Sequence, residues 1–174
     1  PFLTLRLFLR QLLPEQILQQ FGSLLGFGFA LVAAAILASV AVGNRVSVDG
    51  QVTDLFGAIT LSNLTSAVIT STTIEVPPAP VLATIAEVTT GGPRATALEG
   101  VIVATGPSTV TSVTGATSFT AAAGMSSITV GTLVSAISPM PMVNQGFTTI
   151  TGVLVFRSNT STLNPRSMLD LATG

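Results

Sequence analysis

The sequence predicts a chain of two parts, an N-terminal transmembrane α-helix followed by an all-β domain. Three observations carry this. No ionisable residue occurs from Ile17 to Val42, a run long enough to cross a hydrocarbon core of about 30 Å. From residue 43 onward the pattern changes to short alternating runs of Val, Ile, Thr and Ser, punctuated by Gly and Pro. Finally, 48% of residues are hydrophobic and only 7% are charged, against about 25% charged in ordinary globular domains. A surface with so few charges is built from hydroxyls and amides, or is covered by lipid or by other subunits.

Residues 1–13 (PFLTLRLFLRQLL) read as an interfacial segment, with Arg6 and Arg10 reaching for lipid headgroups. The transmembrane helix is expected over 14–42. Pro14 suits a first helical position, and Glu15 complements the helix dipole. The uncharged core at 21–42 spans roughly 33 Å as a helix. Two arginines precede the span and Arg45 alone follows it closely. That bias predicts a single pass through the inner (cytoplasmic) membrane, the N-terminus cytoplasmic and the C-terminal domain periplasmic or extracellular. Gly22, Gly26, Gly28, Ala33 and Ala34 form small helix faces, and Gly22 and Gly26 have the four-residue spacing that lets helix backbones approach closely. The expected partners are lipid and other membrane subunits, or a second copy of the chain.

In the β region the alternating runs are 45–49, 58–61, 67–70, 99–103, 126–130 and 149–155. An internal repeat aligns VSVDGQVTDLFGAITLSN (46–63) with TTITGVLVFRSNTSTLNP (148–165), each with a glycine inside a strand, Gly50 and Gly152. LEGVIVAT (98–105), with Gly100, reads as a third strand of this kind. A glycine inside an apolar strand marks a bulge or a sharp bend, such as a barrel corner.

GNRVSVDGQVTDLFGAITL, PPAPV, GGPRATALEGVIV and FTTITGVLVFRSNTSTLNPRSMLDL resemble exported OB-fold-like modules that accompany extracellular nuclease and lamin-tail proteins of bacteria. The resemblance covers 43–171, is clearest at 94–104 and 146–171, and is most specific in the closing LNPRSMLDL. It implies tandem five-stranded Greek-key barrels. Residues 43–96 then hold part of one OB-like barrel, and 97–174 a complete one. No catalytic residue comes with it, and residues 1–42 lie outside it.

The chemistry available is narrow. There is no Cys, His, Lys, Tyr or Trp. Disulfides and thiolate metal sites are excluded, and the usual partners of a nucleophilic Ser or Thr are missing. Asp49 and Asp54 flank a strand and turn, where exposed acids are ordinary, and no Asp-x-Asp-x-Asp run suggests calcium. No catalytic residue, metal site or cofactor is expected. Phe56, Phe119, Phe147 and Phe156 are the aromatics available for base stacking. The β region's four arginines face six carboxylates, a balance that disfavours nucleic acid. Arg166 and Asp170, four apart, are expected to pair locally. Asn63-Leu-Thr65 and Asn159-Thr-Ser161 match the N-glycosylation pattern, as chance allows in a Ser/Thr-rich chain.

Three functional readings result. The first is a non-catalytic structural or accessory subunit of a membrane complex, whose β domain bridges or caps partners. The second is a pilin-like extracellular filament subunit. The third is an OB-fold module that binds nucleic acid or carbohydrate.

Overall fold

A computed structural model describes residues 2–7, 44–55, 57–71, 73, 75–76 and 78–174. The described residues fall in two compact units, the first within Pro1–Leu55 and Ile59–Pro78, the second within Phe56–Ala58 and Ala79–Gly174.

The first unit is a three-stranded sheet of β1 (Phe2–Leu7), β2 (Arg45–Leu55) and β3 (Ala58–Ser71), in the order β1-β2-β3. β1 runs antiparallel to β2, from Phe2 opposite Gln51 to Leu7 opposite Val46. Along β2, Val46, Val48 and Gly50 are buried while Arg45 and Gln51 are exposed, the two-residue period of a half-buried strand. Across to β3, Thr53 bonds the Ser62 hydroxyl, Ser66 donates to the Asp49 carboxylate, and Thr70 donates to the Arg45 carbonyl. The partner number falls as steadily as the β2 number rises, which is the mark of an antiparallel pair.

This arrangement corrects the fold class expected for the N-terminal part. No helix among the described residues is long and apolar enough to cross a membrane. The single-pass span and the inner-membrane location with a cytoplasmic N-terminus therefore do not stand. Within 1–13, expected as an interfacial segment, the strand is legible in FLTLRL: leucines at 3, 5 and 7 alternate with Phe2, Thr4 and Arg6. That period of two belongs to a strand, whereas an interfacial helix repeats every 3.6 residues. Residues 14–42, where the helix was expected, lie outside the described residues.

The all-β expectation for the rest of the chain stands. The second unit contains β4 (Val81–Leu82), the short helix α1 (Ile85–Val88), β5 (Ile102–Thr105), β6 (Ser108–Thr114), β7 (Ser118–Ala123) and β8 (Ser126–Gly131). β9 (Gly146–Phe147), β10 (Thr149–Arg157), β11 (Thr160–Asn164) and β12 (Leu171–Ala172) complete it. The strands form one sheet in the order β4-β5-β10-β11-β8-β7-β6-β9, with β12 also on β10. β5 and β6 follow one another through Gly106 and Pro107, yet they stand five strand-steps apart along that path. The sheet must therefore curl until it returns to its own starting segment, which makes it barrel-like. β6 also carries a register shift against β7 between Val110 and Ser112, the kind of bulge that bends a strand. β8 and β11 pair in parallel, Thr162 opposite Thr129.

The core is the concave face. Val103, Val110, Phe119, Ala121, Ile128, Val130, Ile150, Leu154 and Leu163 come from alternating positions of their strands, and Ile85 and Val88 of α1 join them. Each large side chain so buried contributes about 1.5–3 kcal/mol. α1 is only four residues long, and a capping box fixes its start: the Glu87 N–H donates to the Thr84 hydroxyl, and the Thr84 N–H donates to the Glu87 carboxylate at 2.7 Å. Gly152 lies inside β10 because a Cβ there would stand 2.7 Å from the Asn164 carbonyl carbon. Gly100 corrects an expectation. It lies in a turn at φ +75 before β5 begins, not inside a strand.

Candidate ligand-binding hollow

The helix-packing candidates Gly22, Gly26, Gly28, Ala33 and Ala34, and the interface candidate Arg10, lie outside the described residues. Arg6 is in β1, opposite Ser47. Among the aromatics, Phe119 and Phe147 are core residues, stacked with ring centroids 5.8 Å apart, and so offer no platform to a nucleic acid base. Phe156 is half-buried beside the exposed Arg157. Phe56 lies outside the described residues.

Several charged side chains of the described residues are engaged in ion pairs. Arg45 pairs with Glu75 at 2.7 Å. Arg94 Nη1 donates to Glu87 at 3.3 Å and to the Leu82 carbonyl at 3.1 Å, which ties β4 to the loop after α1. The Thr84 backbone N–H and hydroxyl, and then the Arg94 guanidinium, hold the Glu87 carboxyl below its ordinary value. The expected pair of Arg166 and Asp170 forms as a fork, Nε to one carboxylate oxygen at 2.8 Å and Nη2 to the other at 2.6 Å. The Arg166 backbone N–H donates to the same carboxylate, so LNPRSMLDL closes on itself as a rigid turn. Among the described residues, no group of three or more acidic side chains is placed to hold a metal ion.

What the structure does assemble is an open hollow of about 560 Å³. Three short segments wall it: 107–109 at the start of β6, 122–124 at the end of β7, and 146–148 through β9, with Gly174 beside them. The pairing explains how they meet. Thr109 stands opposite Ala122 on one side and Gly146 on the other, and Ser108 stands opposite Phe147. None of the lining side chains is ionisable. Thr109 and Thr148 carry hydroxyls there, and Pro107, Ala122, Ala123 and Phe147 are apolar.

Two details describe its surroundings. Ser108 is 7% exposed, and its hydroxyl has no hydrogen-bond partner. Burying an unsatisfied hydroxyl costs about 1–3 kcal/mol, which an alanine in its place would avoid. Second, a Cβ added at Gly124 or Gly146 would meet nothing within 4 Å, as at the surface glycines Gly106 and Gly115. Reasoning from the sequence singled out only Phe147 among these residues. The others are small and uncharged, and nothing in their spacing signals a shared site.

No protein-family model matches the chain, and no curated protein matches it.

Proposed function

We propose that this chain is a non-catalytic accessory module that works by contact, its β-barrel-like unit capping or bridging partner chains. One observation carries the reading: large apolar side chains stand in solvent, while ion pairs of the second unit are used to hold its own loops. Glu87 with Arg94 and Arg166 with Asp170 hold the second unit's own loops. Leu169 is 92% exposed, Leu82 78% and Met142 76%, and Met125 is fully exposed at the β7–β8 turn. Flexible, polarisable methionine side chains suit a contact surface that must adapt to its partner. The lack of His, Lys and Cys adds support, since acid–base and nucleophilic chemistry draw chiefly on those groups. The resemblance to exported OB-like modules, which brings no catalytic residue, points the same way.

The test uses the full chain in its native source with photo-crosslinking groups at positions 82, 125 and 169. Attachment of the same partner chain from at least two positions is expected. Products joining only the chain to itself, with the isolated chain running as a monodisperse monomer, would count against the proposal. Leu82→Ser and Leu169→Ser should release the partner yet leave the unfolding midpoint within about 0.5 kcal/mol of the parent, because both sites are on the surface.

A further inference from the structure

We propose that the outer edge of β3 is the seam at which two copies of this chain pair, strand to strand, into a dimer, a contact independent of the one proposed for the second unit. β3 is 14 residues long and stands at one end of the first unit's sheet. Among the described residues, β2 lies on one side of it and no strand on the other. Such an edge offers its N–H and C=O groups to any strand that comes alongside, and proteins blunt it with charge, proline or brevity. β3 (AITLSNLTSAVITS) has no charged residue, no proline and no glycine. The other sheet ends are blunted. β1, at the far side of the same sheet, is six residues long and carries Arg6, and β4 and β9 are two residues each.

The occupant follows from charge and symmetry. In a twofold pairing, a residue near the axis faces its own copy, so a charge there would meet a like charge. β3 carries none wherever the axis falls. Its Thr, Ser, Val and Ile residues are the types whose cross-strand pairs stabilise a sheet. The direction follows from the faces. Val46, Val48 and Gly50 of β2 are buried on one face, while Arg45 and Gln51 are exposed on the other. Rotation about an axis normal to the sheet sets β3 antiparallel to its copy and keeps the two buried faces on one side. A parallel pairing about an axis in the sheet would turn one copy's buried face over to the polar side. Antiparallel pairs are also slightly more stable per residue. Each copy's three strands thereby continue into those of the other.

The experiment uses the full chain, which has no cysteine, so a single introduced thiol forms a disulfide only with another copy. Cysteine is placed singly at each even-numbered position from 60 to 70, which all lie on one face of β3, and each purified variant is oxidised. Antiparallel pairing brings a residue within disulfide reach of itself only near the axis. Covalent dimer should therefore peak at one position, or at two neighbouring ones, and fall away from it. Sedimentation equilibrium of the parent should give a dimer. Ser62→Lys combined with Val68→Lys sets like charges along the seam and should convert it to monomer. Ser127→Lys, at an exposed position of β8, should leave the dimer intact. The proposal is overturned if the parent sediments as a monomer, since the edge is then covered within the chain or kept for a strand of another protein. It is also overturned if no position cross-links, if all positions cross-link alike, as in-register parallel stacking requires, or if the dimer survives the paired lysines.

Discussion

At the end of β11 the Asn164 amide is buried and bonded on both ends. Its Oδ1 accepts from the Leu133 N–H at 3.3 Å, and its Nδ2 donates to the Thr162 hydroxyl at 3.0 Å and to the Thr162 carbonyl. One side chain thus holds the start of the long 132–145 loop against the parallel β8–β11 pair. Asn164→Ala leaves the Leu133 N–H without that acceptor and should cost about 1–3 kcal/mol in urea unfolding. Gly152→Ala tests the opposite fault, too much atom in too little space. The new methyl would press on the Asn164 carbonyl at 2.7 Å, and the contact is backbone, which cannot swing away. A loss of at least about 1–3 kcal/mol is expected, read from the same unfolding curves. These two residues explain why Gly152 and the LNP of 163–165 stand out in the sequence: one gives way so that the other can approach.

Among the elements, α1 shows how little is needed to fix a short helix when its ends are bonded. Thr84→Ala removes the cap and should destabilise the second unit by about 1 kcal/mol. Glu87 adds a pH dependence. Its folded pKa is lowered, chiefly by the Thr84 backbone N–H. Folding therefore favours the ionised form, so the contribution is complete above the unfolded value and fades as acid carries the pH down through the folded one. Unfolding followed across the acid range should show a shallower loss of stability in Glu87→Gln than in the parent. Asp170→Asn breaks the fork with Arg166, whose two side chains are largely shielded from water. It should loosen the 166–171 turn, visible as faster amide exchange at Leu169 and Leu171.

How far the elements could be read from sequence follows their contrast. β2 and β8 alternate apolar and polar residues over much of their length and β10 is rich in β-branched residues, and the runs at 45–49, 126–130 and 149–155 fall inside them. β6 (STVTSVT) and β7 (SFTAAA) escaped notice, because serine, threonine and alanine give almost no hydrophobic contrast, although Val110 and Phe119 are fully buried. The runs at 58–61 and 67–70 belong to one strand, β3, whose middle is hydroxyl- and amide-rich and reads as a break. In Phe2–Leu7, leucine content masked the period. The hollow was illegible for another reason. An unpartnered hydroxyl and a hollow walled by three segments are properties of neighbours brought together by the curl, and no local pattern records them.

Over the whole molecule, the apolar core that joins α1 to the sheet lies entirely between Ala83 and Leu171. Residues 79–174 should accordingly fold alone, with a single cooperative thermal transition and a β-type circular dichroism spectrum. A sloping, non-cooperative melt of that fragment would show that its core is incomplete. Closure of the sheet has a kinetic side too. β5 meets β10 with Thr105 opposite Ile150, so the roll closes only when distant segments find each other. Refolding on the slower scale of all-β domains, milliseconds to seconds, is expected in stopped-flow dilution from urea.

The two ends of the rolled sheet, β4 and β9, are just two residues long each, and Arg94 already occupies the Leu82 carbonyl at one of them. An open ladder is the template on which copies of a β protein stack. This chain has scant electrostatic repulsion to keep its copies apart. In the rolled unit, geometry takes over that duty: truncated rims give a stray strand almost nothing to zip onto, and added salt, which strips protection from proteins that rely on like charges, has little here to strip.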